Sequence, residues 1–193
     1  MILLVCGSPR PDGLTSQALD LVQQLLIERG CETRRLGVHD LDLPLYGMKA
    51  CAAPQAAAWR QAVREATALV IGSPEYHGSF SGGLKNLLDY LEIGLVEGKP
   101  AAMLVTAGSP RSGVGTLSAM RTVLRNLHVP VIVEQMAVSP RDHEQGAQAW
   151  TPCARSYCIS MVAGLLEEIE RRRSRAVRLE PAADERLAVP VQP

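Results

Sequence analysis

Three short apolar runs, Ile2 to Cys6, Ala68 to Gly72 and Ala101 to Thr106, each pass straight into a segment rich in glycine, serine or proline. Uninterrupted apolar runs of this length suit strands covered on both faces, and such strands belong to parallel sheets. A parallel pair cannot be closed by a tight turn, so each strand needs a crossover. The intervening segments supply it. From Thr15 to Arg29 the apolar residues Ala18, Leu21, Val22 and Leu25 recur at helical spacing, and Gly30 stands where a helix stop is expected. Pro54 to Ala66, Ser81 to Glu92 and Thr116 to Leu127 read as further helices, Glu32 to Val38 as a weaker strand, and Val129 to Val133 as a fifth. A last helix covers Ala154 to Arg173, where Cys158, Met161, Val162, Leu165 and Ile169 form an apolar stripe.

This alternation predicts an α/β fold: a doubly wound, five-stranded parallel sheet in three α/β/α layers, with right-handed crossovers. A chain of 193 residues is too short to divide comfortably into two cores, so residues 1–174 are expected to form one domain. Residues 175–193 carry charges and prolines without a sustained period, and are expected to be a poorly ordered or partner-dependent tail.

Basic and acidic residues number 20 each, so no global field draws the chain to nucleic acid or an anionic membrane. No stretch approaches the ~18 apolar residues of a membrane span, and Met1 to Cys6 lacks the basic flank of a signal segment, so a cytoplasmic location is expected. The five cysteines contain no C-x-x-C pair and are expected to be buried or inert thiols. The histidines, His39, His77, His128 and His143, are scattered, and no metal site is expected.

In open parallel sheets ligands sit outside the carboxyl ends of the strands, which directs attention to the segments after the first, third and fourth strands. The first, Gly7 to Ser16, joins a buried strand to a helix start. Unpaired helix amides, the hydroxyls of Ser8, Thr15 and Ser16, and the charge of Arg10 make it an anion site in outline, although an ordinary turn capped by Thr15 or Ser16 has the same composition. The second, Gly72 to Gly83, combines Pro74, Glu75, Tyr76, His77, Gly78, Ser79 and Phe80. Its glycines permit close backbone approach and its rings offer planar faces, which suits a flat polar heterocycle; the alternative packs Tyr76 on the core and leaves His77 on the surface.

Gly7-Ser8-x-Arg10, Gly72-Ser73-Pro74-Glu75-Tyr76-His77-Gly78-Ser79 and Leu84-Lys85-Asn86-x-x-Asp89-Tyr90-Leu91 together resemble the NADPH-dependent FMN reductase family, with its azo- and quinone-reducing members, over about Met1 to Val138. The resemblance implies a flavodoxin-like sheet, with the FMN phosphate held by Ser8, Arg10, Thr15 and Ser16 and the isoalloxazine by Pro74, Glu75, Tyr76, His77, Gly78 and Ser79. Gly108, Ser109 and Gly113 of the third loop would close over the flavin. It further implies NADPH or NADH as hydride donor, a small-molecule electron acceptor (free flavin, quinone, azo or nitro compound, or metal ion), and a homodimer or homotetramer. Leu14 and His77 depart from the family pattern, the first where a polar phosphate ligand is common and the second where Asn is common. No catalytic side chain is implied, because the cofactor carries the chemistry.

Other readings compete. Gly113 to Ser118 nearly spells a dinucleotide fingerprint with Glu134 downstream, but Ser replaces its third glycine and it follows the wrong strand. Gly94 to Pro100 is one residue short of a P-loop and ends in Pro, and no G-x-S-x-G elbow occurs. The basic cluster Arg171 to Arg173 with Arg175 suits a helix C-terminus. A flavodoxin-type electron carrier shares the implied fold, but carriers resembling that class are strongly acidic whereas this chain is neutral. A regulatory protein that kept the fold without the flavin is the third alternative.

Overall fold

The computed structural model describes residues 1–48, 54–109, 112–144 and 149–179. In chain order the elements are β1 (Ile2–Cys6), α1 (Leu14–Ile27), β2 (Thr33–Gly37), α2 (Val38–Leu41), α3 (Pro54–Glu65), β3 (Ala68–Tyr76), β4 (Ser79–Phe80), α4 (Gly82–Asp89) and α5 (Ile93–Val96). They continue with β5 (Ala101–Thr106), α6 (Val114–Asn126), β6 (Val131–Val138), β7 (His143–Glu144), β8 (Ala149–Trp150) and α7 (Pro152–Leu179). Five strands pair in parallel in the order β2-β1-β3-β5-β6, and β4 folds back antiparallel on β3. The chain leaves β1 towards β2 on one side and then crosses to β3 on the other. That reversal opens a crevice at the carboxyl ends of β1 and β3.

Alternation along the central strands sends successive side chains to opposite faces. Leu3 and Val5 of β1 join Trp59, Ile71, Leu87, Met103 and Leu117 in the layer covered by α3, α4 and α6. Leu4 and Cys6 join Leu19, Val22, Val70, Leu104, Met161 and Leu165 in the layer covered by α1 and α7. The expected three-layer, flavodoxin-like architecture is therefore present. Gly30 takes φ +75° just after α1, as a helix stop at that position requires.

Several boundaries differ, each for a physical reason. β3 runs on to Tyr76 because Pro74 still pairs with Thr106 at the end of the ladder, where a missing amide costs little. The fifth parallel strand, β6, covers 131–138 in place of 129–133. It pairs Ala101 with Val131 but Met103 with Gln135, so an irregularity carries it past an exposed polar stretch. Arg121 of α6 covers that irregularity, donating to Val131 O at 3.1 Å, Ile132 O at 2.9 Å and Gln135 Oε1 at 2.9 Å. Helix α7 continues to Leu179, so residues 175–179 are helix and not tail; residues 180–193 lie outside the described residues.

Cys6 and Cys158 are buried, as expected, and burial pushes the Cys158 thiol up to about 12 against the opposing pull of Arg155 and Arg29. Cys153 departs from that expectation: it is exposed in the first turn of α7, and Cys51 lies outside the described residues. No helix among the described residues is long and apolar enough to cross a membrane, and none of their His, Cys, Asp and Glu side chains cluster as a metal site.

Lys99, from the segment with P-loop-like spacing, has a structural role at the amino ends of β3 and β5. Its ammonium donates to Val63 O at 2.7 Å, Arg64 O at 2.9 Å and Ala66 O at 2.7 Å, which satisfies the carbonyls at the end of α3. Burial, and secondarily Arg64, lower its pKa below the ordinary lysine value. Lys99→Met keeps the length of the stem but removes all three bonds, leaving Val63 O only the Ala66 amide at 3.3 Å. Denaturant unfolding should show a loss of about 1.5–3 kcal/mol, the usual worth of hydrogen bonds to a charged group.

Candidate functional site

Three loops meet at the carboxyl ends of β1, β3 and β5, and their main chains are tied together before any side chain is considered. Gly7 N donates to Gly72 O at 2.7 Å, and a Cβ on Gly7 would stand 2.8 Å from Leu84 Cβ and 3.0 Å from Gly72 O. Only glycine fits there. Ser81 closes the same corner: its hydroxyl donates to Gly7 O at 2.5 Å and accepts from Leu84 N at 3.0 Å as the N-cap of α4. Ser73 Oγ in turn accepts from Ser81 N at 3.0 Å.

The first loop ends on α1, whose N-cap is Gly13 and not Thr15 or Ser16. No side chain accepts from its first turn, so the amides at the start of the helix face the loop as unpaired donors. The hydroxyls are turned inward. Ser8 Oγ accepts from Arg10 N at 3.1 Å and donates to Arg10 O at 3.2 Å; Ser16 Oγ lies 3.4 Å from Arg10 O and 3.5 Å from Cys6 Sγ. Thr15 Oγ1 meets Thr106 Oγ1 at 2.6 Å, which ties α1 to the end of β5. Arg10 is exposed, and its guanidinium has no hydrogen bond or ion pair among the described residues. His39 of α2 packs behind the loop, its Nδ1 donating to Ser8 O at 3.2 Å and its Nε2 3.4 Å from the Asp40 carboxylate.

The second loop is a tight hairpin. Tyr76 pairs with Ser79 and Glu75 with Phe80, and the two residues between, His77 and Gly78, have φ +52° and +80°. Positive φ at both central positions defines the turn that matches strand twist, and it explains Gly78 by backbone conformation alone. A Cβ on Gly78 would meet nothing within 4 Å, so a larger residue there would strain the turn without a clash. Tyr76 is 44% exposed, and His77 also faces outward.

Glu75 turns away from the hairpin tip towards the third loop. Its Oε2 accepts from Gly113 N at 2.8 Å and from Thr116 Oγ1 at 2.7 Å, so the carboxylate sits at the N-terminus of α6, where a negative charge is favoured. Gly113 takes φ +99°. Gly108 and Ser109 are exposed at the end of β5, and Gly115 brings α6 against the hairpin, an added Cβ there standing 3.8 Å from Gly78 O. Of the residues named from the sequence, Arg10, Tyr76, His77, Gly78, Gly108 and Ser109 are exposed beyond the ends of β1, β3 and β5, while Ser8, Thr15 and Ser16 are buried, Pro74 is buried in the ladder and Glu75 is committed to a helix cap. His39, Ser81, Thr106 and Thr116 were not singled out as site residues. Ser81 and Thr116 carried a local signal, each as a helix start.

The Asn86–Tyr90 motif serves another segment. Asn86 donates to Pro44 O at 2.9 Å and accepts from Tyr46 N at 2.8 Å, while Tyr90 donates to Pro44 O at 2.9 Å and meets the Tyr46 ring edge-on at 5.2 Å. These bonds hold up three exposed apolar residues, Leu45, Tyr46 and Met48.

A family model described as NADPH-dependent FMN reductase matches residues 1–143. An NADPH azoreductase of Bacillus sp. (strain OY1-2) is 36% identical over 90 residues, covering 45% of this chain and 51% of that protein. An FMN-dependent NADPH-azoreductase of Staphylococcus haemolyticus (strain JCSC1435) is 34% identical over 87 residues, covering 45% and 46%. The chain spans about half the length of the curated relatives it matches. Among solved structures, an NADH:FMN oxidoreductase (EMOB) superposes with TM-score 0.72 at 23% identity, covering 88% of each chain. FerB, a flavoenzyme NAD(P)H:(acceptor) oxidoreductase from Paracoccus denitrificans, gives 0.71 at 21%, covering 88% of this chain and 97% of that one. At these identities the superpositions speak for the fold.

Glu75→Ala removes the acceptor of two hydrogen bonds at the start of α6. Stability should fall by about 1–2 kcal/mol, the range of a lost helix cap, as measured by denaturant unfolding. Backbone hydrogen exchange should rise at Gly113 and the first turn of α6 while β1 and β3 stay protected.

Proposed function

The chain belongs to the NADPH-dependent FMN reductase family, and from that premise we propose that it is an FMN-dependent NAD(P)H oxidoreductase, passing hydride from a nicotinamide cofactor to FMN and on to a small-molecule acceptor. Free flavins, quinones, azo and nitro compounds and metal ions are the acceptor classes. The observation that carries the reading is the uncapped first turn of α1, opening at the β1/β3 reversal beside a glycine hairpin, with the free cation Arg10 at its edge.

That arrangement fits the cofactor. A helix N-terminus without a side-chain acceptor leaves donors for a phosphate, and Arg10 adds a charge-assisted bond. The hydroxyls of Ser8 and Ser16 can rotate from the Arg10 carbonyl to a better acceptor, whereas Thr15 is held by Thr106 and supplies its amide. Pro74 to Ser79 and the third loop at Gly108, Ser109 and Gly113 form the walls for the ring system. Glu75 keeps the third loop in place. When bound, FMN supplies the two-electron chemistry. The protein's part is to fix the phosphate, present backbone donors to the ring edge and leave one face open.

In this reading the protein works in the cytoplasm as a homodimer or homotetramer. Supporting it are the free thiols of Cys6, Cys31, Cys153 and Cys158, and the patch of Leu45 (66% exposed), Tyr46 (54%) and Met48 (61%), whose apolar surface suits a second copy.

FMN should bind far more tightly than riboflavin, and anaerobic NADPH should bleach the bound flavin's absorbance. Arg10→Ala should weaken FMN binding by about 1.5–3 kcal/mol, read by flavin fluorescence titration, and leave riboflavin binding unchanged. Equal affinity of the wild type for both flavins would place the phosphate elsewhere. Light scattering of the purified protein should give a mass above that of one chain, and Tyr46→Glu should lower it.

A further inference from the structure

On the side of the first loop that faces α7, a groove of about 550 Å³ runs between α1, the paired strands β7 and β8 and the start of α7. It is of the size that holds small-molecule ligands. Pro11, Asp12 and Ser16 form the end it shares with the β1–α1 loop. His143 and Trp150 form the wall from these strands, with ring centroids 4.8 Å apart and planes at 73°, and Trp150 packs partly against the α1/α7 core. Arg155 completes it from α7.

Two charges in this groove make no side-chain hydrogen bond or ion pair among the described residues. Arg155 is exposed, and its side chain has no hydrogen bond or ion pair among the described residues. It lies in the first turn of a long helix that has no acidic residue there, so its charge adds to the positive end of the helix dipole where an acid is normally favoured. Asp12, also exposed, makes no side-chain hydrogen bond or ion pair, and it does not pair with Arg155. Asp20, by contrast, is taken up by Arg35. A groove that pairs an aromatic wall with a free cation at a helix start and a free carboxylate matches a ligand with three parts: a planar base, an anion and hydroxyls that donate.

We propose that this groove binds the adenosine-phosphate half of the nicotinamide donor, with the base on Trp150, the phosphate at the Arg155 guanidinium, and ribose hydroxyls donating to Asp12. Acidic side chains take ribose hydroxyls in dinucleotide-binding sites generally, and aromatic faces take bases without needing a sequence of hydrogen bonds. Its junction with the β1–α1 loop would let one extended molecule reach from this groove towards the flavin mouth. The assignment rests on the reductase reading for the identity of the donor, but the binding chemistry stands on the groove itself.

The test uses the full chain loaded with FMN, so that the flavin phosphate site is filled, and ADP as the probe. Calorimetric titration should show saturable ADP binding that Arg155→Ala weakens at least tenfold and Trp150→Phe weakens severalfold. Reduced nicotinamide mononucleotide lacks the adenosine half, so the ratio of kcat/KM for NADH, whose adenosine ribose keeps both hydroxyls, over that for the mononucleotide should fall tenfold or more in Arg155→Ala. Asp12→Asn should lower the same ratio. These are surface side chains apart from Trp150, so the Arg155 and Asp12 variants keep the test valid if Trp150→Phe is unstable. No ADP binding in the wild type, ADP affinity untouched by Arg155→Ala, or an unchanged donor ratio would each overturn the proposal. If neither donor bleaches the flavin, the reductase reading fails by itself, and the ADP titration with its Arg155 variant then decides the groove.

Discussion

The backbone contact between Gly7 and Gly72 is the point on which the site geometry depends. Strands β1 and β3 are neighbours whose connections leave in opposite directions, and their carboxyl ends must stay close enough to pair while the loops above them part. The 2.7 Å bond from Gly7 N to Gly72 O continues the ladder one step past β1, and it leaves no room for a side chain at Gly7. Leu84 then packs against Gly7 and Leu19 against Gly72, so α4 and α1 are drawn in from the two faces over the same point. The width of the crevice is thereby set by packed backbone. A larger residue at Gly7 would push α4 outward and separate Ser81 from the carbonyl it binds.

A mouth framed in this way does little chemistry with side chains. The hydroxyls of Ser8, Ser16, Ser73 and Ser81 are all engaged with the local backbone, and the Glu75 carboxylate caps a helix. What is left over is a set of amides, a cation at the loop edge and the exposed ring of Tyr76. Preorganised main-chain donors cost no reorganisation when charge develops near them, which is the contribution a protein makes when its cofactor brings the reactive atoms. The same economy explains why fold and family could be recognised from loops that contain no conventional acid–base pair.

The parts legible in the sequence were those whose cause is local. Buried strands announce themselves as apolar runs, and Gly30 and Ser81 mark helix ends through their own backbone chemistry. The parts that were not legible depend on partners distant in the chain. Glu75 reads as a loop residue until Gly113 and Thr116, some forty positions on, are brought to it, and Thr15 reads as a cap until Thr106 takes its hydroxyl. The second half of β6 was missed because an edge strand needs no apolar alternation where Glu134 and Gln135 face outward and Arg121 covers the irregularity. His77-Gly78 was read as a ligand loop when its positive φ values make it first a hairpin turn. Lys99 sat in a failed nucleotide motif, and its helix-capping role follows only from the packing of α3 beside it.

The three walls of the mouth are held by different kinds of tie. The first loop is fixed at four places, by Gly72, Ser81, Thr106 and His39, through bonds that involve buried groups or the sheet itself. The second is part of a ladder with β5 and a two-residue hairpin with β4, and so moves only with the sheet. The third is bonded to the sheet through Ala107 N, which donates to Val138 O at 2.8 Å, and to the second loop through the Glu75 carboxylate, with Gly113 seated against Ala137. Each wall is thus bonded to the sheet or to a neighbouring wall, so the relative placement of the three loops follows from the pairing of β1, β3 and β5 beneath them.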